Sequence, residues 1–129
     1  MQRRLFLQRL TTLTGLTLVA PLVKAQTARR IELQRSPLAG FQYHQGAALW
    51  PLLHLGATLE LAREPDNPFD DRAVRLDFRG GKLGYVPRGD NAAVSHLLDQ
   101  HRPLGAEIVA LRDSADPWER IQVAVFLEV

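Results

Sequence analysis

The residues with the most chemical capacity in this 129-residue chain fall into three short strings. The longest is Arg63-Glu64-Pro65-Asp66-Asn67-Pro68-Phe69-Asp70-Asp71-Arg72-Ala73-Val74. Its two prolines fix φ and remove two backbone donors, which makes it a rigid loop between strands. Asn67 precedes Pro68, so its backbone is pushed to extended geometry and its side chain is free to present an amide. Phe69 has little room to bury its ring in so short a loop, and Asp70 and Asp71 follow it. Gly84-Tyr85-Val86-Pro87-Arg88 is a strand end with an aromatic ring and a cation. Gly40-Phe41-Gln42-Tyr43-His44-Gln45-Gly46 sets a further aromatic group between two glycines. Rings, an amide, a carboxylate and a cation at strand and loop ends can stack on a planar ligand, accept from its hydroxyls and meet its charge.

Each residue also has a plainer account. Tyr43 and Tyr85 suit barrel aromatics whose hydroxyls reach water, and Arg88 suits a surface charge ahead of a helix. Asp70 suits a turn cap that accepts from backbone N–H groups. Trp50 and Trp118 suit core or rim packing, with Asp116-Pro117-Trp118 as a turn. Asp66, Asn67, Asp70 and Asp71 resemble an oxygen-rich cation loop but lack the spacing and the bidentate Glu of an EF-hand. The histidines lack close ligand spacing, and the absence of cysteine excludes disulfides, Cys-based zinc sites, iron–sulfur clusters and a thiol nucleophile. There is no G-x-S-x-G, Walker loop or H-E-x-x-H, so neither catalysis, a metal nor a cofactor is expected.

The elements that carry these strings read mainly as strands. Thr58-Leu59-Glu60-Leu61 alternates polar and apolar, as do residues 72–79, where Val74, Leu76 and Phe78 share a face. Gly80-Gly81 reads as a two-residue turn, returning through Lys82 to Val86. Further short strands are expected from Ile108 to Leu111 and from Ile121 to Leu127. A helix is expected over Asp90 to Gln100, with Asp90 as N-cap and an apolar stripe of Ala93, Val94, Leu97 and Leu98. A second helical turn fits Ala47 to His54, limited by Pro51 and ended by Gly56. Five or six short strands with one or two short helices predict a mainly-β fold, a small closed or nearly closed barrel, since closure removes exposed edges.

The first 25 residues read as an address. They hold Arg3, Arg4, Arg9, Lys24 and no acid, whereas residues 26–129 hold 12 basic and 14 acidic residues, a net charge of −2. An arginine-led start, an apolar stretch and small residues at Val23 and Ala25 follow the plan of a secretory signal cut before Gln26. Gln2-Arg3-Arg4-Leu5-Phe6-Leu7-Gln8 resembles the twin-arginine export motif, departing from it at Gln2 and Gln8. The uncharged run from Leu10 to Val23 is 14 residues, short of the ~20 that span a bilayer. The expectation is an exported bacterial protein, periplasmic or extracellular, with no membrane span once the signal is cut. Residues 26–35 read as an arginine-rich lead-in and residues 36–129 as one domain.

The strings together resemble a HIRAN domain. The resemblance rests on Ser36-Pro37-Leu38-Ala39-Gly40 with Tyr43, on the Arg-Glu-Pro-x-Asn-Pro-aromatic-Asp string from Arg63, and on Gly84-Tyr85-Val86-Pro87-Arg88; it covers Ser36 to Val129. It implies a barrel related to the OB-fold and a non-catalytic module for nucleic acid, capturing free 3′-hydroxyl ends of single-stranded DNA. By the same resemblance Tyr43 stacks on the terminal base, Phe69 completes the stacking pocket without the hydroxyl of the family's tyrosine, and Asn67 and Asp70 hold the end nucleotide. Arg88 matches a lysine that meets backbone phosphate; Gln42 and Tyr85 stand where a DNA-binding member has arginine and histidine. One cation is thus lost and one kept, which implies weaker and less salt-dependent binding. The alternative is a periplasmic protein-interaction domain, or one that takes a peptide, glycan or small ligand in the same pocket.

Overall fold

Alternating burial explains why the strand segments pair as they do. In Ala73–Phe78 the side chains of Val74, Leu76 and Phe78 are buried while Arg75 and Asp77 are only partly covered, and Ile121–Glu128 buries Ile121, Val123 and Val125. A one-residue slip would turn these apolar sets toward water. Each fully buried Leu, Val or Ile contributes about 1.5–3 kcal/mol relative to exposure.

The computed structural model describes residues 29–129. Six strands, β1 (Arg30–Pro37), β2 (Thr58–Glu64), β3 (Ala73–Phe78), β4 (Gly81–Tyr85), β5 (Leu104–Leu111) and β6 (Ile121–Glu128), form one antiparallel sheet in the order β1-β6-β5-β2-β3-β4. Two residues beyond β1, Ala39 pairs with Tyr85 at the end of β4. Its N–H donates to the Tyr85 carbonyl and its carbonyl accepts from the Tyr85 N–H, both at 2.9 Å. This single bridge joins the two outer strands and completes the expected mainly-β, barrel-like architecture. Leu38, Leu59, Leu76, Leu83, Ile108 and Val125 lie inside. A short helix α1 (Gly46–Leu49) and a longer α2 (Ala92–Asp99) cover the openings, α2 through Val94 and Leu98.

Several expectations are corrected by the structure. Residues 30–35, expected as part of a lead-in, belong to β1, which pairs with β6 from Arg30↔Glu128 to Pro37↔Gln122. Its apolar residues Ile31 and Leu33 face outward, so its pairing is supplied by a strand some ninety residues away. The hairpin turn is Arg79-Gly80, with φ of 50° and 83°, rather than Gly80-Gly81. Gly81 begins β4 and abuts the side chains of Gln45 and Leu49. Asp90 does not cap α2: it ends a 3-10 turn, and the N-cap is the buried Asn91. The region expected as Ala47 to His54 is one α-turn followed by a 3-10 turn, Trp50–Leu52, because Pro51 removes a helical donor. The signal-like residues 1–25 and residues 26–28 lie outside the described residues.

The bridge leaves no room for a side chain at Gly84. A Cβ there would meet the Ala39 carbonyl oxygen and stand 2.7 Å from Leu38 Cδ2. Gly84→Ala should therefore destabilise the fold by about 3 kcal/mol, read as a lower midpoint in thermal or denaturant melting. Gly89→Ala, which meets no atom within 4 Å, should be close to neutral, and equal effects of the two would show that the bridge is not under this constraint.

Candidate functional site

The proline-rich loop after β2 is built around its polar side chains. Asn67 Oδ1 accepts from the N–H groups of Phe69 (2.9 Å) and Asp70 (3.2 Å), and its Nδ2 donates to Glu64 Oε1 at 3.0 Å. The Asn67 amide is therefore not free, as its place before Pro68 suggested: it is the loop's internal brace. Bracing these two N–H groups leaves the Phe69 ring pointing outward, 82% exposed. Asp70 Oδ1 accepts from the Arg72 N–H at 3.0 Å, and Oδ2 accepts from Asn91 Nδ2 at 2.8 Å. Burial pushes the Asp70 carboxyl up, but the Arg72 N–H, Asn91 and the charge of Arg88 together hold it below the usual carboxylate value.

Arg63 and Glu64 face opposite ways from the end of β2. Arg63 pairs with Asp99 at the end of α2 at 2.8 Å and donates to the carbonyls of Ala73 (2.8 Å) and Asp71 (3.0 Å). It thus clamps the loop's exit to the helix. Glu64 accepts from the Tyr85 hydroxyl at 2.7 Å and from Asn67, with Arg75 at 3.4 Å and Lys82 at 3.8 Å. Burial opposes its ionisation, yet Tyr85, Asn67, Lys82 and Arg75 bring its carboxyl below the ordinary value. Since both carboxylates titrate lower in the folded chain, the stability they contribute is present at neutral pH and is lost as the pH falls through those lowered values.

These groups border one groove of about 930 Å³. Tyr43, Asn67, Phe69, Asp70, Tyr85 and Arg88, all singled out from the sequence, line it. Gln42 does not: it lies on the other side of its 3-10 turn, beside a smaller depression of about 310 Å³ shared with Trp50 and Arg120. Tyr43 is 77% exposed and, like Phe69, has no part in the core. Tyr85 differs from both. Its hydroxyl is spent on Glu64, the Lys82 ammonium lies 4.6 Å from its ring centroid, and His44 meets the ring edge-on at 5.6 Å. Burial and then the Lys82 charge lower the His44 pKa from the usual imidazole value. Arg88 is exposed and forms no salt bridge among the described residues.

Sequence reading missed Lys82, His44 and Asn91. Lys82 and Tyr85 are three apart, which in a regular strand places them on opposite faces. Opposite β4, however, Leu76 pairs with Gly84 and Asp77 with Lys82, so Leu83 is an extra residue and the parity shifts. Gly84, a glycine inside the strand next to Leu83, is the sequence signal that could have marked it. Asn91 is fully buried, and its Oδ1 has no partner. Among the described residues no group of three His, Cys, Asp or Glu side chains gathers as a metal site. No helix among them is long and apolar enough to cross a membrane.

The groove therefore offers two outward aromatic rings at its rim, cations beside Tyr85 and at Arg88, and carboxylates already engaged within the chain. In comparisons with known proteins, the family model for the HIRAN domain matches residues 31–129. The mouse helicase-like transcription factor is 29% identical over 66 residues, which are 50% of this chain and 6% of that protein. The chain thus spans only a small part of the length of that curated relative. A crystal structure of a Lactobacillus plantarum protein superposes with a TM-score of 0.69 at 24% identity, covering 79% of this chain and 98% of that one. The crystal structure of the HIRAN domain of human HLTF does so with a TM-score of 0.61 at 16% identity, covering 77% and 78%. At these identities the two structural likenesses concern the fold.

Asp70→Ala removes the only hydrogen bond that the buried Asn91 side chain makes among the described residues. It should destabilise the domain by about 1–3 kcal/mol, measured from denaturant midpoints. An unchanged midpoint would mean that Asn91 is satisfied without Asp70.

Proposed function

The chain belongs to the HIRAN domain family, and from that membership we propose that it is a non-catalytic module that binds single-stranded DNA at free 3′-hydroxyl ends. The observation that carries this reading is the pair of rings at the groove's rim. Tyr43 and Phe69 come from separate loops, are 77% and 82% exposed, and flank the same groove. A folded chain gains little from holding two such rings in water, whereas each can stack on the face of a base. Asp70 supports end selection: each of its oxygens accepts one bond within the chain and keeps capacity for a second. A terminal hydroxyl can donate there, while a terminal phosphate brings like charge against the carboxylate. Arg88, exposed and without an ion pair among the described residues, is available to a backbone phosphate.

The net charge of −2 over residues 26–129 opposes long-range attraction of a polyanion, so binding is modest and short-range. The twin-arginine-like start supports export, and the DNA met would then be outside the cytoplasm. Fractionation of bacterial cells producing the full chain tests that location; retention in the cytoplasm would overturn it.

Fluorescence anisotropy with labelled single strands ending in 3′-OH or 3′-phosphate tests the function. The hydroxyl end should bind more tightly. Tyr43→Ala and Phe69→Ala should each cost about 1–3 kcal/mol of binding with little change in melting temperature, and Arg88→Ala should lower the salt slope by about 0.7 for both ends alike. Equal affinity for the two ends, or no binding, would overturn the reading.

A further inference from the structure

We infer that Lys82 is a second phosphate contact in the groove, so that the module grips two successive phosphodiesters of the strand rather than one. This inference rests on the reading of the groove as a site for single-stranded DNA ends.

Lys82 is the one groove cation whose position depends on a bulge. The extra residue at Leu83 turns it onto the face that carries Tyr85. There its ammonium lies over the Tyr85 ring at 4.6 Å, and the ring is itself fixed, by its hydroxyl on Glu64 and its backbone on Ala39. A cation over an aromatic face is held without giving up its hydrogen-bond donors. Glu64 does not take them: its short bonds go to Tyr85 and Asn67, and Lys82 stands off at 3.8 Å, beyond hydrogen-bond reach. The result is an ammonium that lines the groove, held in place, with its donors available to a ligand.

Its ion-pair partner among the described residues is the Glu64 carboxylate, at 3.8 Å. His44 meets the same ring edge-on, and burial and the Lys82 charge lower its pKa. The nearby carboxylate Glu64 faces Arg75 as well as Lys82. Of the groove's three cationic side chains, Arg63 is engaged by Asp99 and two backbone carbonyls, which leaves Lys82 and Arg88, three residues before and three after Tyr85 in the chain. Arg88 acts on the Asp70 side of the groove, where its charge lowers the Asp70 carboxyl. Lys82 acts on the Glu64 and His44 side. A strand whose terminal nucleotide sits between Tyr43 and Phe69 can thus meet two cations that line the same groove.

The test compares a dinucleotide and a trinucleotide of DNA, each with free 5′- and 3′-hydroxyls and so carrying one and two phosphodiesters. Binding is followed by NMR titration at several salt concentrations. Wild type should bind the trinucleotide about tenfold more tightly, with a salt slope steeper by about 0.7. Lys82→Gln should remove both increments and leave dinucleotide binding nearly unchanged, while Lys82→Arg should keep them. Melting curves of both variants establish that they are folded. If Lys82→Gln keeps the increment, or if wild type shows none, this inference falls and the end-binding function stands. If wild type binds neither ligand, the function itself falls and the inference with it.

Discussion

The pairing of Ala39 with Tyr85 is the contact on which the rest of the molecule depends. The six strands would otherwise form an open sheet with β1 and β4 as unpaired edges. Two backbone hydrogen bonds join those edges, and because the rest of the ring is a continuous ladder, they constrain it as a whole. They also position the groove. Residues 40–44 leave the bridge on one strand, and Tyr85 ends the other, so the loop bearing Tyr43 and His44 is placed against the strand bearing Lys82 and Tyr85. Gly84 is the cost of this arrangement, since only a residue without Cβ lets the two backbones approach so closely.

Around that bridge, the residues of the groove divide into two kinds. Glu64, Asn67, Arg63 and Asp70 are turned toward the chain and hold the loop between β2 and β3. That loop contains two prolines and so has fewer backbone donors with which to form turns. The side chains supply what the backbone lacks. Tyr43, Phe69 and Arg88 are turned outward and bond nothing in the core. The first kind makes the second possible. A loop braced at Asn67 and Asp70 can carry a fully exposed ring in a fixed direction, and a ring already in place loses less freedom when a base stacks on it.

Much of the fold was legible along the chain because period-two patterning is local. β3, β4 and β6 follow from Val74-x-Leu76-x-Phe78, from the return after Gly80 and from Ile121-x-Val123-x-Val125. β1 was not legible, because its Ile31 and Leu33 face solvent and only its far partner β6 makes it a strand. The cap of α2 was misplaced by one residue because Asp90 and Asn91 are equally good intrinsic N-caps, and the fold holds Asn91 there through its bond to Asp70. The hairpin turn shifted in the same way: Gly81 is needed for close packing against Gln45 and Leu49, which leaves Arg79 to take the positive φ.

For the site, the sequence alone determined which residues are chemically unusual. Two prolines, an exposed Phe69, the Asp70 carboxylate and the Tyr85 to Arg88 segment are all visible as strings, and the family resemblance rests on them. What it did not determine is which way each side chain turns. Asn67 faces inward, Gln42 faces the second depression, and Lys82 joins the groove only through the bulge at Leu83. Those directions were decided by tertiary structure. Strand parity changes when one extra residue enters a ladder, and although Gly84 beside Leu83 is compatible with a bulge, only the pairing with β3 fixes where it falls.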